Sequence, residues 1–191
     1  MKNYLLTPAL AFCLATALCS PVASKTVAVR QFSVTVSPDS VSVNTDAVTA
    51  DSLLQFAQNL MGTRYRSACS DPLRGFDCSG FVSYVFKSFN FRVPRSSCEF
   101  INVGEKVALE DARPGDIILF TGTSRRSRRI GHVGIVYCNE GGVFRFIHST
   151  SGKEHGVTIT EMDQTYRRRF VQIIRLLKQN DVPAVQLAEI K

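Results

Sequence analysis

The sequence predicts an α+β fold, with helices near the N-terminal side packed on a mostly antiparallel β-sheet. Three observations carry this. Apolar residues at Phe81, Val82, Val85, Phe86 and Phe89 recur with the spacing of one helical face. From Ile117 onward the apolar residues instead come in short runs of strand length, and two of these flank Asn139-Glu140-Gly141-Gly142, a hairpin signal. Because the helical patterns come first and the strand patterns follow one another, the sheet is expected to be antiparallel rather than built from alternating strand–helix units.

Taken in order, the chain of 191 residues opens with Lys2 ahead of an apolar stretch from Leu5 to Leu18. That stretch is too short to cross a bilayer stably, and Val22-Ala23-Ser24 supplies small residues suited to signal-peptidase cleavage. Residues 1–24 are therefore read as a secretory signal, and the protein as exported, periplasmic or extracellular. A lipoprotein route through Cys19 is disfavoured by the bulky Leu18 before it. Residues 25–50, rich in Val, Ser and Thr but carrying Pro38, read as a tether or an edge segment. The domain proper is expected over 51–177. It begins with a helix capped by Asp51 and carrying Leu53, Leu54, Phe56, Ala57 and Leu60, ending near Gly62. A second helix runs from Cys78 to about Phe89, and Pro94 with Ser96-Ser97 marks a short third. Arg113-Pro114-Gly115-Asp116 is a turn leading into a strand at 117–120. Further strands are expected at 132–138, 143–149, 157–160 and 170–177, and residues 178–191 read as a C-terminal tail.

The chain carries 23 Lys and Arg against 16 Asp and Glu, a formal charge of +7. Loss of residues 1–24 removes only Lys2, so +6 remains, and an anionic partner is favoured. The basic clusters Arg125-Arg126-Ser127-Arg128-Arg129 and Arg167-Arg168-Arg169 lack the interleaved aromatics of a nucleic-acid platform, so no nucleic-acid partner is expected. Cleavage also removes Cys13 and Cys19, leaving Cys69, Cys78, Cys98 and Cys138. Four cysteines in an oxidising compartment allow two disulfides, whereas a single Cys69–Cys98 bridge would leave Cys78 free.

Cys78 is the position with the most chemical content. A thiol in the first turn of a helix sits beside unpaired backbone N–H groups and the positive end of the dipole, which favour thiolate. A nucleophilic cysteine also needs a base, and the base an orienting group. His132 and His148 lie on the two arms of the expected hairpin. Pairing of Cys138 with Gly142 across a three-residue loop would set the two histidines directly opposite each other on one sheet face. With the Cys78 helix packed on that face, the three form a triad: Cys78 as nucleophile, His132 as base and later acid, and His148 as acceptor for the distal nitrogen of His132. In this reading Cys78 and His132 rest as an ion pair, with the thiol pKa well below its ordinary value, and backbone N–H groups at the helix start form an oxyanion hole. One Cys and two His also suit a zinc ion, although the spacing lacks the close pairs of structural sites. The leading reading asks for no metal and no cofactor. His155, in a polar segment, reads as a surface histidine.

Five segments carry a resemblance in order along the chain: Gly62-Thr63-Arg64-Tyr65, Gly75-Phe76-Asp77-Cys78-Ser79-Gly80-Phe81-Val82, Arg113-Pro114-Gly115-Asp116-Ile117, Gly131-His132-Val133-Gly134-Ile135 and Phe146-Ile147-His148-Ser149. Together they resemble the NlpC family of bacterial cell-wall cysteine endopeptidases over about residues 51–177. The resemblance implies a papain-like α+β fold and hydrolysis of peptidoglycan stem peptides, typically between D-glutamate and a diamino acid. It puts Cys78, His132 and His148 on the family's triad positions. It also implies that Tyr65 lines the active site, and that Asp77 and Ser79 bind polar groups of the substrate peptide. Where the family usually has a Gly-Gly pair, this chain reads Arg66-Ser67-Ala68-Cys69-Ser70-Asp71-Pro72, which implies a different loop beside the groove.

Overall fold

The computed structural model describes residues 48–124 and 127–178, all within the compact unit 41–191. The expected signal (1–24), most of the 25–50 segment, and the tail beyond Lys178 lie outside the described residues. None of the described helices is long and apolar enough to cross a membrane.

Helix α1 spans Ala50–Gln58, and its cap is Thr49 rather than Asp51: the Ser52 N–H donates to Thr49 Oγ1 at 3.1 Å. Asp51 falls in the first turn, where its charge still favours the positive helix end. The stretch at 66–72, expected as loop, contributes β1 (Ser70–Asp71), which pairs with β2 (Gly75–Phe76). Helix α2 follows at Cys78–Ser88, then a 3-10 helix at Ser97–Asn102. The remaining strands are β3 (Glu105–Val107), β4 (Ile117–Thr121), β5 (Ile130–Glu140), β6 (Val143–Ser149), β7 (Val157–Glu161) and β8 (Phe170–Arg175). Helix α3 (Gln164–Arg169) precedes β8. The expected antiparallel sheet is present, with six strands in the order β3-β8-β4-β5-β6-β7.

Two apolar layers sandwich this sheet. On one side Ile117, Leu119, Val133, Ile135, Ile147 and Ile174 meet Leu53 and Ala57 of α1 and Phe81, Val82, Val85 and Phe86 of α2. The alternate residues, among them Ile118, Phe120, Val136, Phe144 and Phe146, point the other way and pack with Met162 and Tyr166. Asp116, fully buried at the end of the Arg113-Pro114-Gly115-Asp116 turn, clasps β8: Arg175 donates from Nε to Oδ1 at 3.0 Å and from Nη2 to Oδ2 at 2.8 Å. The Arg113 N–H donates to the same carboxylate, so the buried charge is both paired and hydrogen-bonded.

The β5–β6 register departs from expectation in an informative way. The loop is two residues, Gly141-Gly142 at φ +59° and +81°, and it closes the Glu140–Val143 pair. Continued without interruption, that register would turn His132 and His148 to opposite faces. A bulge intervenes: Cys138 pairs with Arg145 but Val136 pairs with Phe146, so Tyr137 has no partner. This one-residue correction returns the two histidines to a common face, as diagonal neighbours rather than a directly opposed pair. That face is also not the one α2 covers. His132 and His148 lie on the Phe120–Phe146 side, whereas α2 packs on the Val133–Ile135–Ile147 side.

Candidate active site

The start of α2 is fixed by charge and hydrogen bonding. Asp77 caps the helix, accepting from the Gly80 N–H at 2.6 Å, and Arg95 grips the same carboxylate with two bonds, Nη1 to Oδ1 at 2.9 Å and Nη2 to Oδ2 at 2.7 Å. Arg95 Nη1 also donates to Ser79 Oγ at 3.0 Å. Cys78 therefore projects from a helix end that is held in place on both sides. Its sulfur lies 4.0 Å from the Gly131 carbonyl oxygen, at the beginning of β5. The helix thus delivers the thiol from its N-terminal tip to the strand end, not across the histidine face.

Burial, followed by the neighbouring Asp77 carboxylate, pushes the Cys78 thiol up, against the pull of the Ser79, Val133 and Cys78 backbone N–H groups. The direction is opposite to the expected lowering, because the backbone N–H contributions do not outweigh desolvation and Asp77. His132 moves in the matching sense. Burial and the nearby Arg169 charge lower it to about 3, so its ring is neutral at physiological pH. His148 is likewise held well below its ordinary value by burial, then by His132 and Arg169. Burial thus favours the uncharged form of each of these three groups.

The two rings are joined by a hydrogen bond of 2.7 Å between His132 Nε2 and His148 Nδ1, and His148 Nε2 lies 2.9 Å from Thr160 Oγ1. With both rings neutral, one arrangement of protons satisfies both contacts: His148 Nε2–H donates to Thr160, and His132 Nε2–H donates to His148 Nδ1. His132 Nδ1 is then an open acceptor. Phe120, Phe146 and Tyr166 jacket the pair, with ring centroids 5.9 Å (Phe120–His132), 4.7 Å (Phe146–His148) and 5.8 Å (Tyr166–His148) apart.

Tyr65, Cys78 and His132 line one cleft of about 340 Å³, with Tyr166 and Arg169 on its wall, while His148 is fully buried behind His132. Tyr65 is placed by its own N–H, which donates to the His155 carbonyl at 2.8 Å, and by a bridge to Phe76. Burial, and then the Cys78 and Asp77 charges, raise its phenol pKa, so the hydroxyl keeps its proton. Asp77 and Ser79 do not line this cleft; their side chains are engaged with Arg95 and the helix start. His155 is exposed, as expected of a surface residue. The zinc alternative requires Cys78, His132 and His148 to aim lone pairs at one point, but both nitrogens of His148 face partners within the protein. Cys69, Cys78, Cys98 and Cys138 are free thiols.

Thr160, Arg95, Tyr166 and Arg169 were not anticipated from the sequence as residues of the site. Thr160 has a readable signal: the strand Val157-Thr158-Ile159-Thr160 places its threonines on alternate positions, on one face. Arg95 follows Pro94 in a segment read only as a short helix. Tyr166 belongs to α3, whose six residues and three terminal arginines gave no apolar period.

Comparison with known proteins gives the family and the fold. The family model "NlpC/P60 family" matches residues 62–175, more than half of the chain. The chain belongs to the NlpC/P60 family. Among curated proteins it is 36% identical over 140 residues to the gamma-DL-glutamyl hydrolase of Bacillus subtilis, covering 72% of this chain and 32% of that protein. It is 34% identical over 122 residues to the murein DD-endopeptidase MepS/murein LD-carboxypeptidase of Escherichia coli, covering 62% of this chain and 58% of that one. This NlpC/P60 chain thus spans about a third to three-fifths of the length of these two relatives. Among solved structures, an NlpC/P60 family protein from Bacillus cereus superposes with a TM-score of 0.60 at 29% identity, covering 68% of this chain and 41% of that one. The NlpC/p60 domain of the peptidoglycan hydrolase SagA gives 0.55 at 25% identity, covering 68% of this chain and all of that domain. The α+β fold expected from the sequence is the fold of this family.

Proposed function

We propose that the chain is a cysteine peptidase that hydrolyses a peptide bond in peptidoglycan stem peptides through an acyl-enzyme, of the D-glutamyl–diamino acid endopeptidase type. The observation that carries this reading is the chain of contacts from Thr160 through His148 to His132, whose ring lines the same cleft as Cys78. Relatives named for cell-wall and glutamyl-peptide hydrolysis support the substrate class. Such a substrate lies outside the cytoplasm, in keeping with export by residues 1–24.

In this mechanism His132 Nδ1 takes the Cys78 proton as the sulfur attacks the scissile carbonyl carbon, because neither group is charged beforehand. The imidazolium formed on His132 is stabilised through His148 and Thr160. Backbone N–H groups at the start of α2 stabilise the oxyanion. His132 then protonates the leaving amine, and a thioester to Cys78 remains. Water, deprotonated by His132, attacks the thioester, releasing the carboxylate and restoring the thiol. Tyr65, kept protonated, donates a hydrogen bond to the substrate from the cleft wall. Asp77 and Ser79, engaged by Arg95, act on the reaction by fixing the start of α2 and with it the Cys78 thiol, not by touching the peptide.

The test is incubation of purified protein with intact wall peptides, followed by mass spectrometry. New amine and carboxylate ends at the D-glutamyl–diamino acid bond support the reading. Transfer of an acyl group to an added amine instead of water, or retention on the wall without products, overturns it.

A further inference from the structure

A second cleft opens beside the one holding Cys78. It has a volume of about 660 Å³ and shares Gly122, Thr123 and Arg169 with its neighbour. Its walls bring together two parts of the chain that are far apart in sequence: the segment leading into β5, which supplies Arg128, and the end of α3, which supplies Arg168 and Arg169. Thr123, Ser124 and Ser127 add hydroxyl-bearing residues to a lining that, among the described residues, has three arginines and no acid. Arg167 in the same helix turn is not part of it.

Two features set this cleft apart from a solvated basic surface. Arg169 is held, not free to wander: its Nε and Nη2 both donate to the Thr121 carbonyl, at 3.0 and 2.8 Å, and its guanidinium carbon lies 5.4 Å from the Tyr166 ring centroid. Arg128 and Arg168 are exposed, and among the described residues neither forms an ion pair with an acid. Clustering like charges without internal counter-ions raises the local potential and leaves donor capacity available to a ligand. A planar guanidinium matches a carboxylate with two parallel N–H bonds, and nearby hydroxyls extend that donor set.

We propose that this cleft is a carboxylate-binding subsite continuous with the Cys78 groove, which holds a carboxylate of the substrate beyond the bond being cut. The assignment rests on the peptidase reading for its substrate. It adds to that reading a specificity element, formed by Arg128 and Arg168 with Arg169 as the fixed wall between the two clefts. Its contribution is to binding: exposed guanidinium–carboxylate pairs change affinity by a few-fold each, so two together correspond to about three- to tenfold.

The experiment uses the full chain carrying Cys78→Ala, so that binding is read without turnover. Two stem-peptide fragments are compared by calorimetry, one with a free carboxylate outside the scissile bond and one with that group as the carboxamide. The expected result is about three- to tenfold tighter binding of the carboxylate. This preference should fall below about twofold in Arg128→Gln/Arg168→Gln and return in part in Arg128→Lys/Arg168→Lys, with unchanged thermal unfolding in both. Equal discrimination in the starting protein and the Gln variant overturns the subsite. Preferential capture of a glycerol-phosphate oligomer, lost in the same variant, overturns the carboxylate assignment. The active enzyme separates this proposal from the one it rests on: cleavage of both fragments without preference removes the subsite alone. Carboxylate-selective binding without cleavage by the active enzyme retains the subsite and removes the peptidase reading.

Discussion

His132 Nε2 and His148 Nδ1 are 2.7 Å apart although the two residues do not pair across the β5–β6 hairpin. They meet diagonally, because the Tyr137 bulge corrects the odd register set by the Gly141-Gly142 turn, and because Gly134 leaves room on that face. A Cβ built on Gly134 would come within 2.9 Å of Phe146 Cδ2 and 3.2 Å of His148 Cβ. The contact between the rings thus depends on two backbone features that carry no catalytic chemistry.

Gly134→Ala is therefore expected to act on His148 through crowding. Overpacking of a tight interior costs about 1–3 kcal/mol, so thermal unfolding should shift down and turnover should fall with it. Thermal melts and kcat on the same preparation check this. Wild-type turnover in a folded Gly134→Ala protein would show that the His148 position tolerates displacement.

Cys78→Ala is expected to abolish hydrolysis while leaving the fold intact, since alanine suits a helix start and Asp77 and Arg95 still fix the cap. Cys78→Ser should recover little activity, the hydroxyl being a far weaker nucleophile beside an imidazole whose basicity is depressed. Product formation from wall peptides, with circular dichroism as the folding control, decides the matter.

Severity along the relay should decline with distance from the sulfur. His132→Ala removes proton transfer and should bring activity to background, whereas His148→Gln keeps an acceptor and should retain part of the rate. Thr160→Val removes one hydrogen bond from His148 Nε2, worth about 1 kcal/mol, and should slow kcat by roughly five- to tenfold with little effect on KM. Steady-state kinetics of the three variants test the order; equal loss in all three contradicts it.

The neutral histidines make stability pH-dependent. His132 is lowered to about 3 in the folded protein and ordinary, near 6.5, when unfolded, so between those values the unfolded chain binds more protons. Stability from this group is complete above about pH 6.5 and is lost as pH falls towards 3. The slope of about 1.4 kcal/mol per pH unit corresponds to roughly 2 kcal/mol between pH 6.5 and 5. The midpoint of urea unfolding should fall over that interval, and His132→Gln should flatten the dependence. In the same range kcat/KM should not show the acid loss that an imidazole of ordinary pKa would produce.

Removing one partner of the Asp116–Arg175 pair leaves the other buried without its counter-charge. Asp116→Ala should cost about 3–5 kcal/mol, read as a lower urea midpoint, because the carboxylate is fully buried and joins the Arg113–Asp116 turn to β8.

The α+β class, the α2 helix and the main strands are legible in the sequence, and Cys78, His132 and His148 stand out there as candidate site residues. Each of these is written in local pattern: a 3.6-residue apolar period, short β-runs with turn residues between them, and a thiol at a helix start. How those parts meet is not written locally. A hairpin register turns on a single inserted residue, and neither the two-residue turn nor the compensating Tyr137 bulge has an unambiguous local signature, so a direct His132–His148 pairing was expected and a diagonal one is found. The face covered by α2 and the direction from which Cys78 arrives depend on which side of the sheet buries more apolar surface, a property of all six strands together. The charge states follow the same rule. A helix N-terminus argues locally for thiolate, but desolvation is set by everything that surrounds the sulfur and the rings, and here it outweighs the backbone N–H groups at Cys78.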